Sequence, residues 1–157
     1  MCGVTGFLGG EKSYNLNDSS PIINSMLNKI HHRGPDDHGY WSDSHKGVNL
    51  GHKRLSIVDL SQTGHQPMHS ISKRYVVVFN GEIYNHMELR QNLVKENKSS
   101  NWVGTSDTET LLAGFEAWGI EKTITKCIGM FSLAIWDKAN KTLNLIVDRV
   151  GEKPLYY

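Results

Sequence analysis

Residues 75–94 read YVVVFNGEIYNHMELRQNLV, and this stretch decides how the rest of the chain is read. Residues 75–79 (YVVVF) are β-branched and aromatic, which predicts a strand long enough to lie inside a sheet. Asn80-Gly81 follows, and Asn-Gly after an apolar strand is the usual signal for a tight hairpin. A returning strand is missing, however: residues 85–94 have a helical pattern. Two readings of the pair therefore stand open. One is the turn. The other is a strand-end Asn side chain beside a glycine N–H, a ready pair of donors for an oxyanion.

Before this stretch, residues 1–10 (MCGVTGFLGG) predict a short strand closed by a glycine turn. Asp18 or Ser19 is placed to cap a helix with Pro21 in its first turn. Ile22, Ile23, Met26, Leu27 and Ile30 then form an apolar stripe that Gly34-Pro35 ends. Residues 40–42 and 48–57 read as strands, followed by a polar loop through Pro67. After it, Ser106 and Glu109 have capping-box spacing, with Leu111, Leu112 and Phe115 behind them as a helical apolar face. Residues 120–127 predict a further helix, and residues 131–136 and 142–147 a hairpin joined by the polar turn 137–141. Leu155-Tyr156-Tyr157 reads as the start of another strand. Strands at both ends with helices between them predict layered sheets and helices rather than an alternating βαβ chain.

The bulk chemistry narrows the function classes. A chain of 157 residues is one domain's worth, and 38% hydrophobic with 21% charged residues fits a globular core. Lys+Arg 17 against Asp+Glu 16 gives a net +1, which offers no electrostatic case for nucleic acid or an anionic membrane. The apolar runs are too short to span a bilayer, and no basic-then-apolar opening marks a secretory signal. Cys2 and Cys127 read as reduced thiols of a cytoplasmic protein. Among the eight histidines, His31, His32 and His38 invite a metal reading, but their spacing matches no common zinc pattern. Neither a GxxxxGK[ST] nor a GxGxxG loop is present, so nothing argues for ATP or NAD binding.

Five residues carry candidate chemistry. Cys2 reads as a small buried hydrophobe, as an acylation site without a second anchoring signal, or as a nucleophile. The last reading requires loss of Met1, which is expected before a small residue. Cys2 then has an α-amino group of pKa about 7.7–8.0 beside a thiol of about 8.5, so one residue supplies nucleophile and base. Arg54 reads as a solvated charge or as a five-donor fork suited to a carboxylate. Asp107 opens a predicted helix, where the dipole favours a carboxylate, and it reads as a cap aid or a binding group. Asn80 with Gly81 completes the set.

The segments MCGVTGF, HHRGPDDHGYW, GHKRLSIVDL, VFNGEIYNHMELR, GTSDTETLL, GMFSLAIWD and DRVGEKPLYY occur in that order across nearly the whole chain. In type and order they resemble the N-terminal glutaminase domain of the glutamine-hydrolysing asparagine synthetases, a class II glutamine amidotransferase domain. The resemblance implies an α+β fold of the N-terminal-nucleophile hydrolase type, a four-layer αββα sandwich, here over residues 2–157. It implies that Cys2 is the nucleophile and that the Asn80 side chain and Gly81 N–H form an oxyanion hole. Arg54 is then the partner of the glutamine α-carboxylate, Glu82 and Asp107 hold the α-amino group, and backbone groups around Ile57 and Val58 line the pocket.

The implied reaction is hydrolysis of L-glutamine through a γ-glutamyl thioester, with ammonia passed to a synthetase domain that activates an acceptor with ATP. The fragment itself is expected to need no cofactor, with ATP and Mg confined to that synthetase domain. The chain ends earlier than the family's glutaminase domain, so its last strands and the synthetase domain are expected to be absent, which makes the sandwich C-terminally truncated and leaves an unpaired sheet edge. A homodimer is left open as an assembly state. Two rival functions stand beside this one: ammonia supply for amidation of a sugar acid in envelope polysaccharide synthesis, and a catalytically silent module that binds glutamine.

Overall fold

The computed structural model describes residues 2–9, 19–56, 62–98 and 101–157. In chain order its elements are β1 (Gly3–Leu8), α1 (Ser20–Lys29), β2 (Asp37–Asp43), β3 (Val48–Arg54), β4 (Met68–His69), β5 (Tyr75–Ile83), α2 (His86–Lys95), α3 (Asp107–Trp118), α4 (Ile120–Lys126), β6 (Gly129–Asp137) and β7 (Thr142–Val147). Two antiparallel sheets result, one in the order β1-β3-β2 and one in the order β4-β5-β6-β7.

The apolar run at the start of β5 follows from burial on both faces. Tyr75, Val77 and Phe79 pack with Leu89 of α2 and with Leu111, Leu112 and Phe115 of α3. Val76 and Val78 turn the other way, joining Ala134 and Trp136 of β6 and Val48 and Leu50 of β3 between the two sheets. With a side-chain period of two, a strand that feeds two cores has no polar face to show. On the far side, Ile23 and Leu27, four residues apart on α1, lie over Gly51 of β3. A Cβ there would sit 3.1 Å from Ile23 Cδ1 and 3.1 Å from Leu27 Cδ2. The layers are therefore α1, first sheet, second sheet, and α2 to α4: the αββα sandwich.

Several local expectations are corrected. The strand predicted for residues 75–79 continues to Ile83, so Asn80-Gly81 is neither a turn nor a strand end. It pairs with Ser132 and Phe131 inside the β5–β6 ladder. Glycine is needed because the strands approach closely: a Cβ on Gly81 would lie 2.1 Å from the Met130 carbonyl oxygen. Ile22 leaves the expected stripe and is 41% exposed, since the stripe's width is set by what β3 can cover. The capping box forms by half. Ser106 Oγ accepts from Glu109 N–H at 3.2 Å, but the Glu109 carboxylate bonds Val103 N–H and Gly104 N–H instead of returning to the cap. Ser19 is the N-cap of α1 without a side-chain cap bond, because its hydroxyl bonds Asn49 Oδ1. Asp18, the other candidate, lies outside the described residues. Leu155-Tyr156-Tyr157 forms no strand.

Candidate functional site

Cys2 sits one residue before β1, and the β1–β3 register (Gly3 opposite Lys53) carries it to the end of β3. Its Sγ accepts from Leu55 N–H at 3.4 Å. On the adjoining strand position, Arg54 is 8% exposed, and its guanidinium lies against the Gly64 backbone. A Cβ on Gly64 would come within 2.2 Å of Arg54 Nη2, so this glycine makes room for the side chain.

The second wall is the edge of β5. Beyond Val77, β4 has ended and, among the described residues, no strand pairs this side of β5. Phe79 N–H instead donates to Gln66 Oε1 at 2.7 Å, and the Phe79 carbonyl accepts from His52 Nε2 at 3.1 Å. Further along, Ile83 N–H donates to Asp107 Oδ2 at 2.9 Å. Gly81 lies between these two residues with the same strand parity. Its partner Phe131 bonds Asp148 through both backbone groups, N–H to Asp148 Oδ2 at 3.1 Å and carbonyl from Asp148 N–H at 2.8 Å. The Gly81–Phe131 pair is thus a non-hydrogen-bonded pair of the antiparallel ladder, and Gly81 N–H turns to the open side.

Cys2, Arg54, Asn80, Gly81, Glu82 and Asp107 line one cavity of about 220 Å³. Ile57 and Val58 lie outside the described residues, as does Met1. Asp107 is the first residue of α3, and burial pushes its carboxyl above the usual range, partly offset by the Ile83 N–H bond. Among the described residues that line it, the cavity has one cation, Arg54, and two carboxylates, Glu82 and Asp107, charges of both signs such as a zwitterion needs.

His52, Gln66, Gly64 and Thr108 line the same cavity and went unread in the sequence. His52 is fully buried, which pushes its pKa down to about 4, so the ring is neutral near pH 7. Because a carbonyl only accepts, Nε2 carries the proton and Nδ1 is the bare acceptor. Cys127 differs from Cys2. It is buried, its thiol is pushed up to about 12, and Sγ donates to the Thr123 carbonyl. That is a structural thiol. Among the described residues no group of three or more metal-capable side chains forms, and no helix is long and apolar enough to cross a membrane.

Residues 1–157 match a family described as the glutamine amidotransferase domain. A relative named asparagine synthetase [glutamine-hydrolyzing] 1, from Bacillus subtilis, is 41% identical over 157 residues, covering 100% of this chain and 24% of the relative. Amidase chry2 of Gibberella zeae is 37% identical over 164 residues, again 100% of this chain and 24% of the relative. The chain thus spans about a quarter of the length of these relatives. A solved structure, glutamine phosphoribosylpyrophosphate amidotransferase from B. subtilis complexed with ADP and GMP, superposes with a TM-score of 0.53 at 23% identity. The match covers 66% of this chain and 23% of that one, and at this identity it speaks for the fold.

Proposed function

Because this chain belongs to the glutamine amidotransferase domain family, we propose that residues 2–157 act as one such domain and hydrolyse the side-chain amide of L-glutamine, with Cys2 as nucleophile. The observation that carries the reading is convergence. Residues from the chain's start, the end of β3, the β5 edge and the first turn of α3 meet on one cavity of about 220 Å³.

Once Met1 is removed, the α-amino group of Cys2 takes the thiol proton, and the thiolate attacks the amide carbon. The oxyanion that develops accepts from Asn80 Nδ2 and Gly81 N–H, donors fixed in place before the charge appears. As the tetrahedral species collapses, the α-ammonium returns its proton to the leaving nitrogen. Ammonia departs and a γ-glutamyl thioester remains. Water then attacks the thioester, the amine takes its proton, and glutamate leaves with the Cys2 thiol restored.

Recognition falls to charge. Arg54 takes the α-carboxylate, and Glu82 and Asp107 take the α-ammonium. We assign the ammonia to a synthetase partner region that forms asparagine, in keeping with the name of the B. subtilis synthetase relative, and we assign ATP and Mg to that region rather than to this one. A cytoplasmic setting suits the two thiols.

The direct test is release of ammonia and glutamate in equal amounts from glutamine by protein whose first residue is Cys2. Arg54→Ala should raise KM for glutamine tens-fold or more, since breaking a desolvated charge pair costs about 2–5 kcal/mol against roughly 0–1 for an exposed one. Arg54→Lys should restore only part of the loss, because an ammonium lacks the two-point fork. An unchanged KM in Arg54→Ala makes Arg54 a structural charge and removes the clamp.

A further inference from the structure

We infer that Gln66 and His52 are positioning residues for the oxyanion donors, acting through the backbone of Phe79. This rests on the proposed role of Asn80 and Gly81 and adds what holds them. Phe79 is 3% exposed and immediately precedes Asn80, so its peptide groups have no water to turn to. The short strand β4 pairs with Val76 and Val77, so among the described residues Phe79 has no neighbouring strand on that side. Two side chains stand in for that strand. Gln66 Oε1 takes the Phe79 N–H at 2.7 Å and His52 Nε2–H serves the Phe79 carbonyl at 3.1 Å.

Both side chains are themselves anchored in the pocket walls. Gln66 is 5% exposed, and its Nε2 donates to Thr108 Oγ1 at 3.3 Å, one residue after Asp107. His52 precedes Arg54 by two residues on β3, so the two share a face of the strand. Phe79 is therefore a point where the β5 edge is tied both to α3, beside the ammonium clamp, and to β3, beside the carboxylate clamp. An amide suits position 66, since its oxygen accepts from the Phe79 N–H while its nitrogen donates to the Thr108 hydroxyl. If the tie is lost, Asn80 and Gly81 can drift from where the oxyanion forms, and misplacement on the ångström scale is enough to slow the reaction.

The test is a double-mutant cycle on the protein with Cys2 as its first residue, read in kcat and KM separately. Gln66→Met, close in length but without a good acceptor, should lower kcat on the order of tenfold and move KM by about twofold or less. In an Asn80→Ala background the same change should cost about threefold or less, because the principal donor it positions is gone. An equal kcat loss in both backgrounds overturns the inference while the oxyanion role of Asn80 stands. Wild-type kcat in Asn80→Ala alone removes that role, and the inference falls with it. Should Gln66→Met fail to fold, Thr108→Val breaks the far end of the same tie. It should lower kcat several-fold, again suppressed by Asn80→Ala, and an unchanged kcat overturns the inference.

Discussion

Cys2→Ala is expected to abolish glutamine hydrolysis, with kcat reduced at least about a thousandfold, while glutamine still binds within a few-fold of its normal affinity. The thiol is the group that forms the covalent bond, and the chain's other cysteine is not placed to replace it. Cys127 is fully buried, and its thiol is pushed up to about 12. Binding should survive because, among the described residues, Cys2 Sγ bonds the Leu55 backbone, while the charged groups assigned to recognition sit on β3, β5 and α3. Alanine also keeps a small residue after Met1, so processing is not altered. Ammonia assays and calorimetric titration with glutamine separate the two effects. Residual turnover near the wild-type rate would place the nucleophile elsewhere.

Asn80→Ala is expected to lower kcat by about 10²–10³, with a much smaller change in KM. The side chain is 6% exposed, and among the described residues its Oδ1 has no hydrogen-bond partner, so truncation strands no described group that depended on that oxygen. The loss therefore falls on the transition state, where charge develops, rather than on stability. Thermal unfolding measured beside the kinetics should show a small shift. If kcat stays at the wild-type value, Asn80 has only a structural meaning within the β5–β6 ladder.

The two-sided burial of β5 was legible in residues 75–79, because an uninterrupted β-branched and aromatic run suits a strand inside a sheet. The hairpin at residues 131–136 and 142–147 was legible too, and the structure shows its chemistry. Asp137, 2% exposed, accepts from Ala139 N–H and from Arg74, fastening the turn to the start of β5. Asn80-Gly81 was read with the wrong geometry. Local turn propensity yielded to pairing with β6, whose Gly129 permits the same close approach: a Cβ there would lie 2.1 Å from the Glu82 carbonyl oxygen. Glu109 had the spacing of a capping box, but the loop before α3 presents Val103 and Gly104 N–H groups to it.

The candidate site divides in the same way. Cys2, Arg54 and Asp107 declared themselves by position or charge, and resemblance added Glu82. Gln66, His52 and Gly64 did not, because their contributions exist only after folding. A loop glutamine accepts from a strand 13 residues on, a strand histidine serves a carbonyl 27 residues on, and a glycine yields space to a guanidinium. No period or short motif encodes such contacts.

The central claim is that Cys2 supplies both nucleophile and base, and the α-amino group is the part of it most directly open to measurement. The same chain should be prepared fully processed and fully Met1-retaining, each verified by intact mass, and ammonia release from saturating glutamine compared. The processed form should turn over. The Met1-retaining form, whose Cys2 nitrogen is a peptide amide with no basicity near pH 7, should be inactive while still binding glutamine. Equal rates in the two preparations would contradict the claim, since the base would then have to be another group.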